Sequence, residues 1–209
     1  VGAVPPYSFL LGGKLVALSL ISNEVRKAYA ARYANAITQM EGRNIGGDLV
    51  AITTTSAFGR SSIYNRLTYR GRLAAQSLGM TTGYGNFHLN GLVKVVRQWL
   101  AQQGDEEIKT GFGSGPRAIW IDIGKACRKL GIPQDQVLNH GVKREVFLFP
   151  LVSNLADVMS AGAKPDYYDA PFQDVADWWK DRWLRRRAQT NEAWRAWRRE
   201  QTIAAITEG

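Results

Sequence analysis

Between residues 56 and 66 the chain reads Ser-Ala-Phe-Gly-Arg-Ser-Ser-Ile-Tyr-Asn-Arg, so hydroxyls, a carboxamide and a phenol lie within a few positions of Arg60 and Arg66. A phenol at the head of a helical turn, beside Ser61, Ser62 and Asn65, can donate a proton to a leaving group. Tyr64, Ser62 and Asn65 are therefore candidate catalytic residues. Half-buried packing with a satisfied hydroxyl accounts for the same tyrosine equally well. Other chemistries find less to work with. A serine–histidine–aspartate relay would need His88, in a strand-like run, or His140, in an Asn-His-Gly turn, and nothing ties either to an activated serine. Asp48, Asp122, Asp157 and Asp166 are scattered, without the paired carboxylates of metal-dependent nuclease work. With one cysteine, Cys127, and two histidines, a Cys/His metal site is not expected.

Such a turn needs rigid elements to deliver it. Residues 49–55, Leu-Val-Ala-Ile-Thr-Thr-Thr, predict a strand leading into it. The run 81–89, with Tyr84 and Phe87 among Thr and Gly, predicts a returning strand, and 143–151 a third, interrupted by Pro150. Apolar residues at Leu11, Leu15, Leu18, Ile21 and Val25 predict a helix over 14–33, with a break available at 22–24. Further helices are predicted over 90–102, stopped by Gly104, over 118–130, and briefly over 155–160. Ahead of the first helix, Ser8 and the pair Gly12 and Gly13 leave backbone N–H groups free to meet a phosphate. Close helix packing would use the same glycines. The glycine-rich run 110–116 looks like a nucleotide-binding turn but lacks a P-loop lysine and the dinucleotide spacing. The fold class is α/β of the α+β kind: a mixed sheet flanked by helices over 1–171, then a helical tail over 172–209.

That tail holds much of the charge. The chain carries +9, and residues 180–199 contain eight Lys and Arg against Asp181 and Glu192. Arg182, Arg185, Arg186, Arg187, Arg195, Arg198 and Arg199 are candidate nucleic-acid contacts, since a basic segment suits a polyanion. A solvated helix face is the plainer reading of the same residues. Trp179, Trp183, Trp194 and Trp197 fall near one stripe that must bury against this domain, a second copy or stacked bases. A protein partner or homo-oligomer through that stripe is the second partner expectation, after nucleic acid with DNA favoured. No apolar run approaches the roughly 20 residues of a membrane span. The single cysteine fits a reducing compartment, hence a cytoplasmic location.

Two stretches resemble known families. Residues 3–15, Ala-Val-Pro-Pro-Tyr-Ser-Phe-Leu-Leu-Gly-Gly-Lys-Leu, look like the strand–loop–helix that holds the CoA pyrophosphate in GNAT acetyltransferases. Residues 48–67, with Ser62-Ile63-Tyr64-Asn65-Arg66-Leu67, are similar to that family's next strand and helix, where a Tyr often serves as general acid. More narrowly, the chain resembles the GNAT-like phage Mom DNA-modification family and the Druantia-type DruA proteins of anti-phage defence. The resemblance implies a GNAT-like fold whose earlier strands would lie before Val1. It also implies acetyl-CoA or CoA at Tyr7, Ser8, Gly12 and Gly13, and Tyr64 as acid in transfer to a DNA base. A catalytically inactive DNA-binding module of the same fold, or an assembly protein using the Trp/Arg tail, are the alternatives.

Overall fold

The computed structural model describes residues 2–83, 85, 87, 89–105 and 116–207; Tyr84, His88 and the glycine-rich residues 110–115 lie outside them. In chain order the helices are α1 (Gly12–Ser19), α2 (Asn23–Tyr33), α3 (Val93–Gln102), α4 (Pro116–Leu130), α5 (Gln134–Leu138) and α6 (Leu155–Ala161). They continue as α7 (Phe172–Trp179), a π-helical turn over Lys180–Leu184, α8 (Arg185–Thr190), α9 (Ala193–Ala196) and α10 (Arg199–Thr207). The strands are β1 (Ala51–Thr55), β2 (Thr68–Tyr69), β3 (Arg72–Leu73), β4 (Gln76–Met80) and β5 (Glu145–Pro150). Two compact units result, Val1–Met80 with Glu145–Gly209, and Thr81–Arg144.

In the first unit β5 is the middle strand of an antiparallel sheet ordered β1-β5-β4. Its sequence, Glu-Val-Phe-Leu-Phe-Pro, explains the position: Phe147 and Phe149 share one face by the two-residue period of a strand, and both are buried. Opposite them Thr54 and Ile52 hold the register on β1. Ser56 ties the end of β1 to the start of β5, its hydroxyl donating to the Gly59 carbonyl and accepting from the Glu145 N–H. The edge strand β4 is exposed along its length and bulges between Ser77 and Gly79. Gly79 sits there at φ 101°, a conformation that costs a residue without Cβ little.

The first helix does not run to residue 33. It stops at Ser19, and Ser22 starts a new one by accepting the Val25 N–H with its hydroxyl. Onto the sheet's buried face pack Ala17, Leu18 and Ile21 from this region, Tyr64, Leu67 and Tyr69 after β1, and Val175 and Trp179 from α7. The helices from Phe172 onward thus belong to the first unit. Between β1 and β4 lies a small hairpin, β2 with β3, turned by Arg70 and Gly71 at φ 47° and 80°. The predicted strand over 81–89 is not seen among its described residues; the strand in this region is β4, earlier in the chain.

The second unit is helical. Helices α3 and α4 pack together, tied by the Arg97–Asp122 ion pair at 2.7 Å and by Lys129 with Asp105 at 3.1 Å. Ile123, Cys127 and Leu138 form its core.

Candidate nucleic-acid interface

The residues expected to carry chemistry are set in the first unit by α1. Lys14, one position after the glycine pair, is half-buried and points at the turn that follows β1. Its Nζ donates to the carbonyls of Ser62, Ile63 and Asn65 at 3.0, 3.1 and 3.3 Å. Desolvation by burial pulls its ammonium below the ordinary lysine range. The turn itself is capped by Ser61, whose hydroxyl accepts the N–H groups of Ile63 and Tyr64. Ser62 and Asn65 therefore stand exposed on a fixed turn.

Tyr64 is placed differently. It is only 3% exposed, its ring 5.0 Å from that of Phe147 and 5.8 Å from that of Phe149. The three candidate catalytic residues are thus neighbours in the chain but divide between the core and the surface.

Gly12 and Gly13 open α1 and are both buried. A Cβ on Gly12 would lie 2.8 Å from the Tyr7 carbonyl oxygen and 3.3 Å from the Ala3 Cβ, and one on Gly13 would meet Ile63 at 3.3 Å. The space spared by each missing side chain is taken by the chain's own atoms. Tyr7 is exposed and Ser8 partly buried, its N–H donating to Val4.

The basic tail folds back over the start of α1. The Trp179 indole N–H donates to the Leu11 carbonyl at 3.1 Å, and Arg187 Nε donates to the Phe9 carbonyl at 3.1 Å. Further on, Trp197 meets Phe9 edge-on at 5.6 Å, and Thr202 donates to the Pro5 carbonyl. These contacts set Trp179 and Trp197 against their own domain. They also leave a cleft of about 430 Å³ lined by Leu11, Arg182, Trp183, Arg186, Arg187 and Thr190. Lys14 packs on one of these lining residues, its Nζ 5.6 Å from the Trp183 ring centre. One lysine therefore links the Trp183 ring to the carbonyls of Ser62, Ile63 and Asn65.

The seven candidate arginines separate by their partners. Arg185 pairs with Asp181 at 2.8 Å and Arg195 with Glu192 at 3.0 Å, each a helical neighbour that cancels its charge. Arg198 turns its guanidinium onto the carbonyls of Arg195 and Trp197. Arg199 opens α10 and is exposed. Among the described residues, Arg182, Arg186, Arg187, Arg198 and Arg199 have no carboxylate partner, and the first three share the cleft. Leu11, Trp183 and Thr190 complete it. No pattern in the sequence marks Lys14 or Leu11, because their roles come from a fold-back across more than 160 residues.

The family model described as Druantia protein DruA matches residues 1–161. The chain belongs to the DruA family. It is also 34% identical over 204 residues to the Druantia protein DruA of Escherichia coli (strain UMEA 4076-1), covering 94% of this chain and 50% of that protein. The chain therefore spans about half the length of this DruA relative. The family match includes the sheet, Lys14 and the Tyr64 turn, and ends before Arg182. No solved structure matches the chain at a significant level.

Among the described residues no helix is long and apolar enough to cross a membrane, and no group of three or more His, Cys, Asp and Glu gathers to hold a metal.

Proposed function

We propose that this DruA-family chain contacts nucleic acid in anti-phage defence, and that the cleft beside α1 takes the phosphate backbone of duplex DNA. The observation that carries the reading is the gathering of charge: among the described residues, three guanidinium groups without carboxylate partners line one cleft, while Arg185 and Arg195 are paired with acidic neighbours. Arginine suits this task because its planar fork of N–H donors matches phosphate oxygens. Trp183 lies under two cations, with Arg182 5.7 Å and Lys14 5.6 Å from its ring centre, which holds positive charge at the cleft rather than in solvent. Transfer from acetyl-CoA through Tyr64 draws no support from the packing of Gly12, Gly13 and Tyr64, so binding is the activity assigned.

The test is duplex DNA affinity measured against salt. Each phosphate neutralised adds about 0.9 to the slope of log K against log salt. The double variant Arg182→Ala, Arg186→Ala should lower that slope by up to about two and weaken all duplex sequences alike. An unchanged slope, with the protein folded, refutes the assignment.

A further inference from the structure

A second surface, in the helical unit, has features that the cleft does not explain. Helix α4 carries Trp120, Gly124 and Arg128 at four-residue spacing, which places them on one face with Trp120 and Arg128 about 12 Å apart along the axis. Trp120 is 43% exposed, unusual for the largest apolar side chain. Between it and Arg128 lies Gln134, from the start of α5. A Cβ on Gly124 would stand 2.7 Å from the Gln134 Oε1, so the carboxamide rests against the helix where the glycine leaves room. Trp120, Ile121, Gly124, Arg128 and Gln134 together line a cleft of about 340 Å³.

The charges around it are again sorted. Lys129 is paired with Asp105 and Arg97 with Asp122, whereas exposed Arg128 has no carboxylate partner among the described residues. The face thus offers a flat aromatic ring, a carboxamide with both donor and acceptor, and one uncommitted guanidinium. Each answers a different part of a nucleotide: the base plane, the base edge and the phosphate.

We infer that this face of α4 binds single-stranded nucleic acid. An unpaired base stacks on Trp120, its edge meets the Gln134 carboxamide, and Arg128 takes a backbone phosphate. A paired base inside a duplex has no free plane to offer Trp120, so single strands are selected. This site is separate from the arginine cleft of the first unit and does not require it.

The experiment measures fluorescence anisotropy of the intact protein with a labelled oligothymidylate and with a labelled duplex, across a salt series. Trp120→Leu keeps an apolar side chain and removes the stacking plane. It should weaken oligothymidylate binding on the order of tenfold while leaving duplex binding unchanged. Trp120→Phe should retain most of the affinity. Arg128→Gln should lower the single-strand salt slope by about 0.7, one phosphate contact. The Arg182→Ala, Arg186→Ala protein serves as the opposite arm and should lose duplex affinity first. If that arm alone fails, the cleft reading falls and this one stands. Trp120→Leu binding oligothymidylate as tightly as the unaltered protein overturns the inference, as does equal loss on single strand and duplex. Should Trp120→Leu fail to fold, an unchanged salt slope in Arg128→Gln overturns it instead.

Discussion

Replacing Tyr64 tests whether the most site-like residue of the sequence works as chemistry or as packing. In the structure its ring sits between Phe147 and Phe149 in the main core, 5.0 and 5.8 Å from them. Tyr64→Ala removes a buried aromatic and leaves a cavity beside two phenylalanines. Substitutions of this kind cost about 3–5 kcal/mol, within which the two ring pairs supply about 0.5–1.5 kcal/mol each. For a chain of this length that corresponds to a fall in melting temperature of about 6–20 °C. Tyr64→Phe keeps the ring and both ring contacts and removes one hydroxyl, a loss of about 1 kcal/mol or a few degrees. The measurement is thermal unfolding by circular dichroism, with a guanidinium titration to check that the slope is unchanged. A Tyr64→Ala protein that melts within about 2 °C of the unaltered chain would refute the packing argument. So would Tyr64→Phe losing as much as Tyr64→Ala, since the hydroxyl and not the ring would then hold the site.

Lys14→Met should cost about 1.5–3 kcal/mol, because a charged donor is removed from three carbonyls, and the loss is read in the same melts. Trp179→Phe, which takes the indole N–H from the Leu11 carbonyl, should lower the melting temperature by several degrees and loosen the arginine cleft, read as weaker duplex binding. Tyr167 donates to Asp48 at 3.0 Å, and its phenol is pushed up to about 12 by burial first and by Asp48 second. The folded state therefore keeps a proton that the unfolded state gives up near pH 10, so stability from this group is full below pH 10 and is lost as pH rises toward about 12. Tyrosinate absorbance should show late-ionising phenols, buried Tyr69 among them, with one fewer in Tyr167→Phe; a titration identical in the two proteins would count against the Asp48 contact.

Much of the scaffold was legible because local chemistry and tertiary need agree. The apolar run in β5 is a buried middle strand, and Ser22 breaks the first helix in the way an N-cap serine should. The hairpin and β4 were not legible. Gln-Ser-Leu-Gly-Met has no alternation to read because β4 is an exposed, bulged edge, and Arg70–Gly71 is not one of the strong turn pairs. The glycine pair was ambiguous for a deeper reason. Phosphate contact and close packing both ask for a missing Cβ, and only the neighbours, here Tyr7, Ala3 and Ile63, decide between them.

The tail shows what a charge count omits. Eight cations in twenty residues suggest a uniform basic surface, yet the spacing already holds the correction: Asp181 stands four residues before Arg185, and Glu192 three before Arg195. Subtracting such pairs leaves Arg182, Arg186, Arg187, Arg198 and Arg199, of which the first three line the cleft. A stripe drawn at 3.6 residues per turn nevertheless goes out of phase across Lys180–Leu184, where the helix takes a π turn. That one turn shifts everything after it relative to Trp179, which is anchored on Leu11. With the shift in place, Arg187 reaches the Phe9 carbonyl and Arg185 faces its aspartate in solvent. The π turn thus lies between the Trp179 anchor and Arg186 and Arg187 of the cleft, and a fixed period of 3.6 does not carry across it.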